Sequence, residues 1–147
     1  LYHMNKVGEY LMRELPYKRI FFQTDDLQNI EIDEHTIILG CSILREGIDF
    51  GGKGIKYLII DKLPFENVSD LYVKAKFDYY EEKYGNAFLN YYLPRAVIFF
   101  KQAVGRLIRN ETDSGYWIIM DGRIYSKNYG KYFLEVLNGA EKIEKFW

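Results

Sequence analysis

Short apolar runs alternate with longer segments of helical periodicity along most of this chain. Val7, Tyr10, Leu11 and Leu15 recur at helical spacing and predict a first helix that stops near Pro16. Arg19–Gln23 and Thr36–Gly40 are apolar runs of strand length. Between them the polar, acidic stretch from Thr24 to Glu34 reads as a loop with room for a short helix. Tyr57–Asp61 predicts a third strand. Ser69 and Asp70 offer N-caps for a helix running towards Tyr84, where Gly85 interrupts. A further helix takes in Ala96 through Arg109, Tyr116–Met120 predicts a fourth strand, and Tyr129 to Leu137 a closing helix. Strands that are apolar throughout and alternate with helices imply the α/β class, a parallel sheet with helices on both faces. No repeat, low-complexity stretch or linker appears, so residues 1–147 are expected to form one domain.

Composition narrows the class. A chain of 147 residues, 48% hydrophobic and 18% aromatic, can bury a sizeable core, while 28% charged residues argue against a membrane protein. No apolar run approaches the ~18 residues of a membrane-spanning helix. The opening Leu1–Lys6 lacks the apolar centre of a signal peptide, and Cys41 is the only cysteine, so no intrachain disulfide can form. An intracellular protein, cytoplasmic or nuclear, is expected. His3 and His35 have no cysteine or carboxylate partners at ligand spacing, so no metal site is expected. A net charge of -1 gives no general support for nucleic-acid binding, although Lys53, Lys56, Lys62, Lys74 and Lys76 can supply a local basic face.

The most informative segment is Gln102-Ala103-Val104-Gly105-Arg106-Leu107-Ile108-Arg109. Taken as a helix at about 100° per residue, it places Gln102, Arg106 and Arg109 at i, i+4 and i+7, within roughly 60° of one another. Gly105 borders that strip and lets a ligand approach the backbone. Phe100, Val104, Leu107 and Ile108 fall on the other side and can be buried. Two guanidinium groups and an amide on one face suit an anion, and arginine's planar fork suits phosphate best. Two arginines alone would read as a solvated helix face; the spacing Q-x-x-G-R-x-x-R, with its glycine, is more specific.

That octapeptide resembles motif VI of superfamily 2 helicases. Cys41-Ser42-Ile43-Leu44-Arg45-Glu46-Gly47-Ile48-Asp49-Phe50 resembles motif V of the XPD/DinG branch, where E-G-x-D-F follows a strand. Leu63-Pro64-Phe65, Tyr92-Leu93-Pro94-Arg95-Ala96, and Met120-Asp121-Gly122-Arg123-Ile124 with Tyr129-Gly130 are similar to that branch in order and spacing, over roughly Leu39 to Leu137. One departure stands out: the family often continues L-P-F with prolines and an Asp-Pro, whereas here Glu66-Asn67-Val68-Ser69-Asp70-Leu71 follows.

The resemblance implies a second RecA-like motor domain of an ATP-dependent DNA helicase, travelling 5′-to-3′ on single-stranded DNA. Its implied catalytic residues are Arg106 and Arg109, acting as fingers on ATP, with Gln102 orienting them or the γ-phosphate. Its implied nucleotide-contacting residues are Asp49, Glu46, Gly47 and Gly105. ATP and Mg²⁺ would be bound mainly by a first motor domain, the implied partner, for which this chain has neither a Walker A loop nor an Asp-Glu-x-His box. The chain is therefore expected to be a C-terminal piece of a larger enzyme. An iron–sulfur cluster, if the parent has one, is expected in the other domain, since one cysteine cannot ligate it here.

Gly47-Ile48-Asp49-Phe50-Gly51-Gly52-Lys53-Gly54 nearly matches a phosphate loop but places Gly54 where the Mg²⁺-binding hydroxyl belongs, and a strand rather than a helix is expected after it. It reads instead as the turn after motif V. Asp49 alone could be a turn-capping carboxylate, and Cys41 a small buried residue. Asp121 and Arg123 follow a strand, where they can serve a ligand or form an internal salt bridge. Tyr79, Tyr80, Tyr84, Phe88, Tyr91 and Tyr92 can stack on bases or fill the core, and the core reading is favoured. Three rivals remain: a non-catalytic interaction module on the same fold, an RNA helicase, and a DinG-like nuclease.

Overall fold

The computed structural model describes residues 2–25, 27, 30–40, 55–108 and 113–143. The chain falls into two compact units, Leu1–Ile55 and Lys56–Trp147. In the first, helix α1 (Tyr2–Glu14) precedes strands β1 (Arg19–Phe22) and β2 (Thr36–Leu39), which pair in parallel with Ile20 opposite Ile37. The buried side of α1 differs from expectation. Val7 and Tyr10 are exposed, whereas Gly8 is buried and Met4, Leu11 and Leu15 are half-buried. The reason is contact with Phe22: a Cβ on Gly8 would lie 2.3 Å from the Phe22 ring, so this glycine is where helix and strand approach.

The second unit contains β3 (Tyr57–Ile60), α2 (Leu71–Tyr84), a π-helical stretch (Phe88–Tyr92), α3 (Leu93–Val104), β4 (Tyr116–Ile119), α4 (Arg123–Ser126) and α5 (Gly130–Val136). β3 and β4 pair in parallel, Leu58 opposite Trp117, across the long crossover that such pairing demands. Of the two expected N-caps for α2, Asp70 takes the role, accepting from the amides of Tyr72 and Val73. Gly85 closes the helix with φ +61°, a left-handed conformation that glycine adopts freely. Leu63, Leu93, Ala96, Phe100, Val104, Ile124 and Phe133 form the core, with Phe65, Trp117 and Tyr129 packed against it. No helix among the described residues is long and apolar enough to cross a membrane.

Helix α3 ends earlier than the expected Arg109. It stops at Val104, and the chain tightens: Arg106 donates its amide to Ala103 and Leu107 to Val104, both i→i−3 bonds. Such a closing turn satisfies carbonyls that an α-helix leaves open at its end. At the start of α3, Leu93 donates to the Phe88 carbonyl, five residues back, which marks the π-helical stretch before it. Periodicity gave no warning of it.

Candidate functional site

The end of α3 carries the arginine motif, and burial divides it as its pattern requires. Phe100, Val104 and Leu107 are buried, Ile108 is half-buried, Gln102 and Gly105 are exposed, and Arg106 is half-buried. The three polar or glycine positions therefore lie at the surface of a turn whose apolar residues anchor it. Arg109, Glu46, Gly47 and Asp49 lie outside the described residues, as do Cys41 and the glycine-rich Gly51–Gly54 with Lys53.

Three of the stretches singled out in the sequence meet around Phe65. Its ring stacks on Tyr92 at 5.3 Å and Phe88 at 6.1 Å, and meets Tyr129 and Phe133 edge-on. The loop that follows β3 is tied to α3 as well. Arg95 grips Glu66 with two parallel bonds, Nε to Oε2 at 2.7 Å and Nη2 to Oε1 at 3.0 Å, and the Tyr92 hydroxyl donates to the Glu66 carbonyl. Glu66 stands where the chain departs from the family's usual proline-rich continuation, and this pair gives the departure a structural role. Nothing local in the sequence links positions 66 and 95.

At the carboxyl ends of β3 and β4 lies an open cleft of about 450 Å³, lined by Asp61, Lys62, Met120, Asp121, Gly122 and Arg123. Asp121 is buried and receives Arg123 Nε and Nη2, the latter at 2.6 Å, together with the amides of Leu63 (2.8 Å) and Arg123 (3.0 Å). The Arg123 guanidinium holds the Asp121 carboxyl at about 2, against the opposing effect of burial, and the two amides add to the depression. Arg123 is raised in turn by its bond to Asp121 and lies 5.5 Å over the Phe65 ring. Of the two readings left open by the sequence, the internal salt bridge is the one formed.

The aromatic set divides. Tyr80 stacks on buried Tyr91 at 4.7 Å, and Phe88 and Tyr92 join the Phe65 cluster. Tyr79 and Tyr84 are exposed, against the core reading, with Lys83 placed over both rings. Among the described residues no group of three or more His, Cys, Asp or Glu side chains is arranged to hold a metal ion.

Comparison with known proteins gives a consistent picture. The family described as Helicase C-terminal domain matches residues 2–140. The ATP-dependent DNA helicase YoaA of Haemophilus influenzae is 35% identical over 144 residues, covering 95% of this chain and 22% of that protein. The 3′-5′ exonuclease DinG of Staphylococcus haemolyticus is 36% identical over 149 residues, covering 96% of this chain and 16% of that protein. The DinG of Staphylococcus aureus strain USA300 is 40% identical over 104 residues, 71% of this chain and 11% of that protein. The chain thus spans between about a tenth and a fifth of the length of these relatives.

Proposed function

We propose, because the chain belongs to the helicase C-terminal domain family that includes the DinG and YoaA proteins, that residues 1–147 are the second RecA-like motor domain of an ATP-dependent DNA helicase. The observation that carries this reading is the end of α3: Gln102, Gly105 and Arg106 at the surface of a turn anchored by buried Phe100, Val104 and Leu107. In this account ATP binds between this domain and a first motor domain of the same parent. Arg106 and Arg109 neutralise charge that develops on the transferred phosphoryl group, and Gln102 orients the arginines or the γ-phosphate. Glu46, Gly47 and Asp49 contact the nucleotide from motif V. Mg²⁺ is held mainly by the first domain, and an iron–sulfur cluster, where the parent has one, also lies outside this chain. Release of the arginines after hydrolysis opens the cleft and moves the domain 5′-to-3′ along single-stranded DNA in an intracellular compartment.

The names of the staphylococcal relatives favour a second reading, a parent that also degrades DNA as a 3′-5′ exonuclease. That chemistry would belong to the part of such a parent that this chain does not cover. Both readings make one prediction for the 147-residue chain by itself. It has arginines to complete a site but no phosphate loop, so the purified chain hydrolyses no ATP. DNA-stimulated turnover by the isolated chain, abolished by Arg106→Ala, would overturn the division of labour between two motor domains.

A further inference from the structure

The turn that carries Arg106 is held from outside its own helix. Val104 is the last residue of α3 and is buried; its carbonyl accepts the Leu107 amide at 3.2 Å, and its second lone pair is open to another donor. Trp117, in β4, provides one: its indole Nε1–H donates to the Val104 carbonyl at 3.1 Å. Three residues after Val104 comes a second anchor. Leu107 is 1% exposed and fits against Gly115, where a Cβ would lie 2.7 Å from both Leu107 Cδ1 and the Lys56 carbonyl. Arg106 sits between these anchors, on a turn made of two i→i−3 bonds, residues 105–108 lying outside regular helix. In the sequence Trp117 is one bulky residue in an apolar strand, Tyr116-Trp117-Ile118-Ile119, and nothing there distinguishes its ring from core filling.

We propose that Trp117 is a positioning residue for the Arg106 guanidinium, acting through the Val104 carbonyl. The inference rests on the reading of Arg106 as a phosphate-contacting arginine and adds a residue that touches neither nucleotide nor DNA. The indole bond, together with the Leu107 amide on the same carbonyl, holds the tightened turn at one pitch. Without it the Val104 carbonyl keeps only the Leu107 amide, at 3.2 Å, and the turn loses its tie to β4 and shifts. Catalysis by a charged finger is sensitive to displacement on this scale, since a misplacement of about 1 Å can cost roughly 100-fold in rate. Loss of one hydrogen bond that leaves the packing intact should displace the turn by less than that.

The test uses the full-length parent and two replacements. Trp117→Phe removes the N–H and part of the ring. Replacement of Trp117 by 3-benzothienylalanine keeps the bicyclic shape and exchanges the N–H for sulfur. Both should lower kcat for DNA-stimulated ATP hydrolysis roughly five- to tenfold, with KM for ATP within about twofold of the parent. The benzothienyl protein should keep the parental thermal midpoint. In an Arg106→Ala background the same replacements should cause no further loss, because the side chain being positioned is gone. Equal slowing in both backgrounds, or no slowing by the benzothienyl residue in the Arg106 protein, would overturn the positioning role. Normal turnover in Arg106→Ala alone would overturn the reading of Arg106 itself, which separates the two failures.

Discussion

Asp121 and Arg123 form a two-point ion pair in the turn after β4, and the Asp121 carboxylate also accepts the amide of Leu63, 58 residues away in sequence. The pair thereby joins the two strand ends that form the cleft. It also makes a prediction about acid stability. The folded pKa of Asp121 is held at about 2, below the unfolded value of 3.8, so the folded state favours the charged form. The resulting stabilisation is fully present above pH ~4 and is lost as pH falls towards 2. Asp121→Asn should therefore cost on the order of 2 kcal/mol at pH 7 and make the decline between pH 4 and 2 shallower. Asp33, held at about 2 by Arg19 and Thr36, leaves part of that decline in place. Urea denaturation at a series of pH values is the measurement; parallel curves for the two proteins would remove Asp121 from the acid transition.

The Tyr129-Gly130 pair also has a steric explanation. A Cβ on Gly130 would lie 2.0 Å from the Ile124 carbonyl oxygen and 2.6 Å from its carbon, both backbone atoms of α4. Gly130→Ala should destabilise the protein by about 3 kcal/mol or more, because α4 and α5 cannot both keep their places. Gly122→Ala is the contrast, since nothing lies within 4 Å of its added Cβ and its φ of -60° suits alanine. It should change stability by less than about 0.5 kcal/mol. Similar thermal midpoints for the two variants would mean that α5 adjusts freely.

Motif V and the glycine-rich turn after it make opposite predictions in the full-length parent. Asp49→Ala should weaken ATP turnover or uncouple it from strand separation, because the family's motif V lies between nucleotide and DNA. Lys53→Ala should leave ATP hydrolysis largely intact and at most reduce DNA affinity, with a shallower salt dependence. Titration calorimetry and paired ATPase and unwinding rates decide between them. Lost ATP binding in folded Lys53→Ala would make the Gly47–Gly54 segment a true phosphate loop.

The strands were legible because apolar runs of strand length leave little choice. Arg19–Phe22, Thr36–Leu39, Tyr57–Ile60 and Tyr116–Ile119 each end one residue short of the run that predicted them. Helix α2 was legible because Asp70 caps it and Gly85 closes it, both local signals. What escaped was set by contacts distant in sequence. The Val104 carbonyl at the end of α3 is held by Trp117, the loop after Phe65 by Arg95, and α1 is buried around Gly8 by Phe22. The arginine motif was readable as chemistry, since its spacing sorts polar from apolar positions. The side chains that hold it in place were not, because a tryptophan in an apolar strand gives no sign that its N–H is in use.

The two arginines of the motif carry the proposed chemistry, and kcat measured on the full-length parent tests them directly. Arg106→Ala and Arg109→Ala should each lower DNA-stimulated ATP turnover by about 1,000-fold, with KM for ATP changed far less and the circular dichroism spectrum unaltered. Charge stabilisation in the transition state is lost, while the buried anchors Phe100, Val104 and Leu107 remain. Near-parental kcat in either correctly folded variant would contradict the assignment of that arginine to the phosphoryl group, and in both variants would contradict the account as a whole.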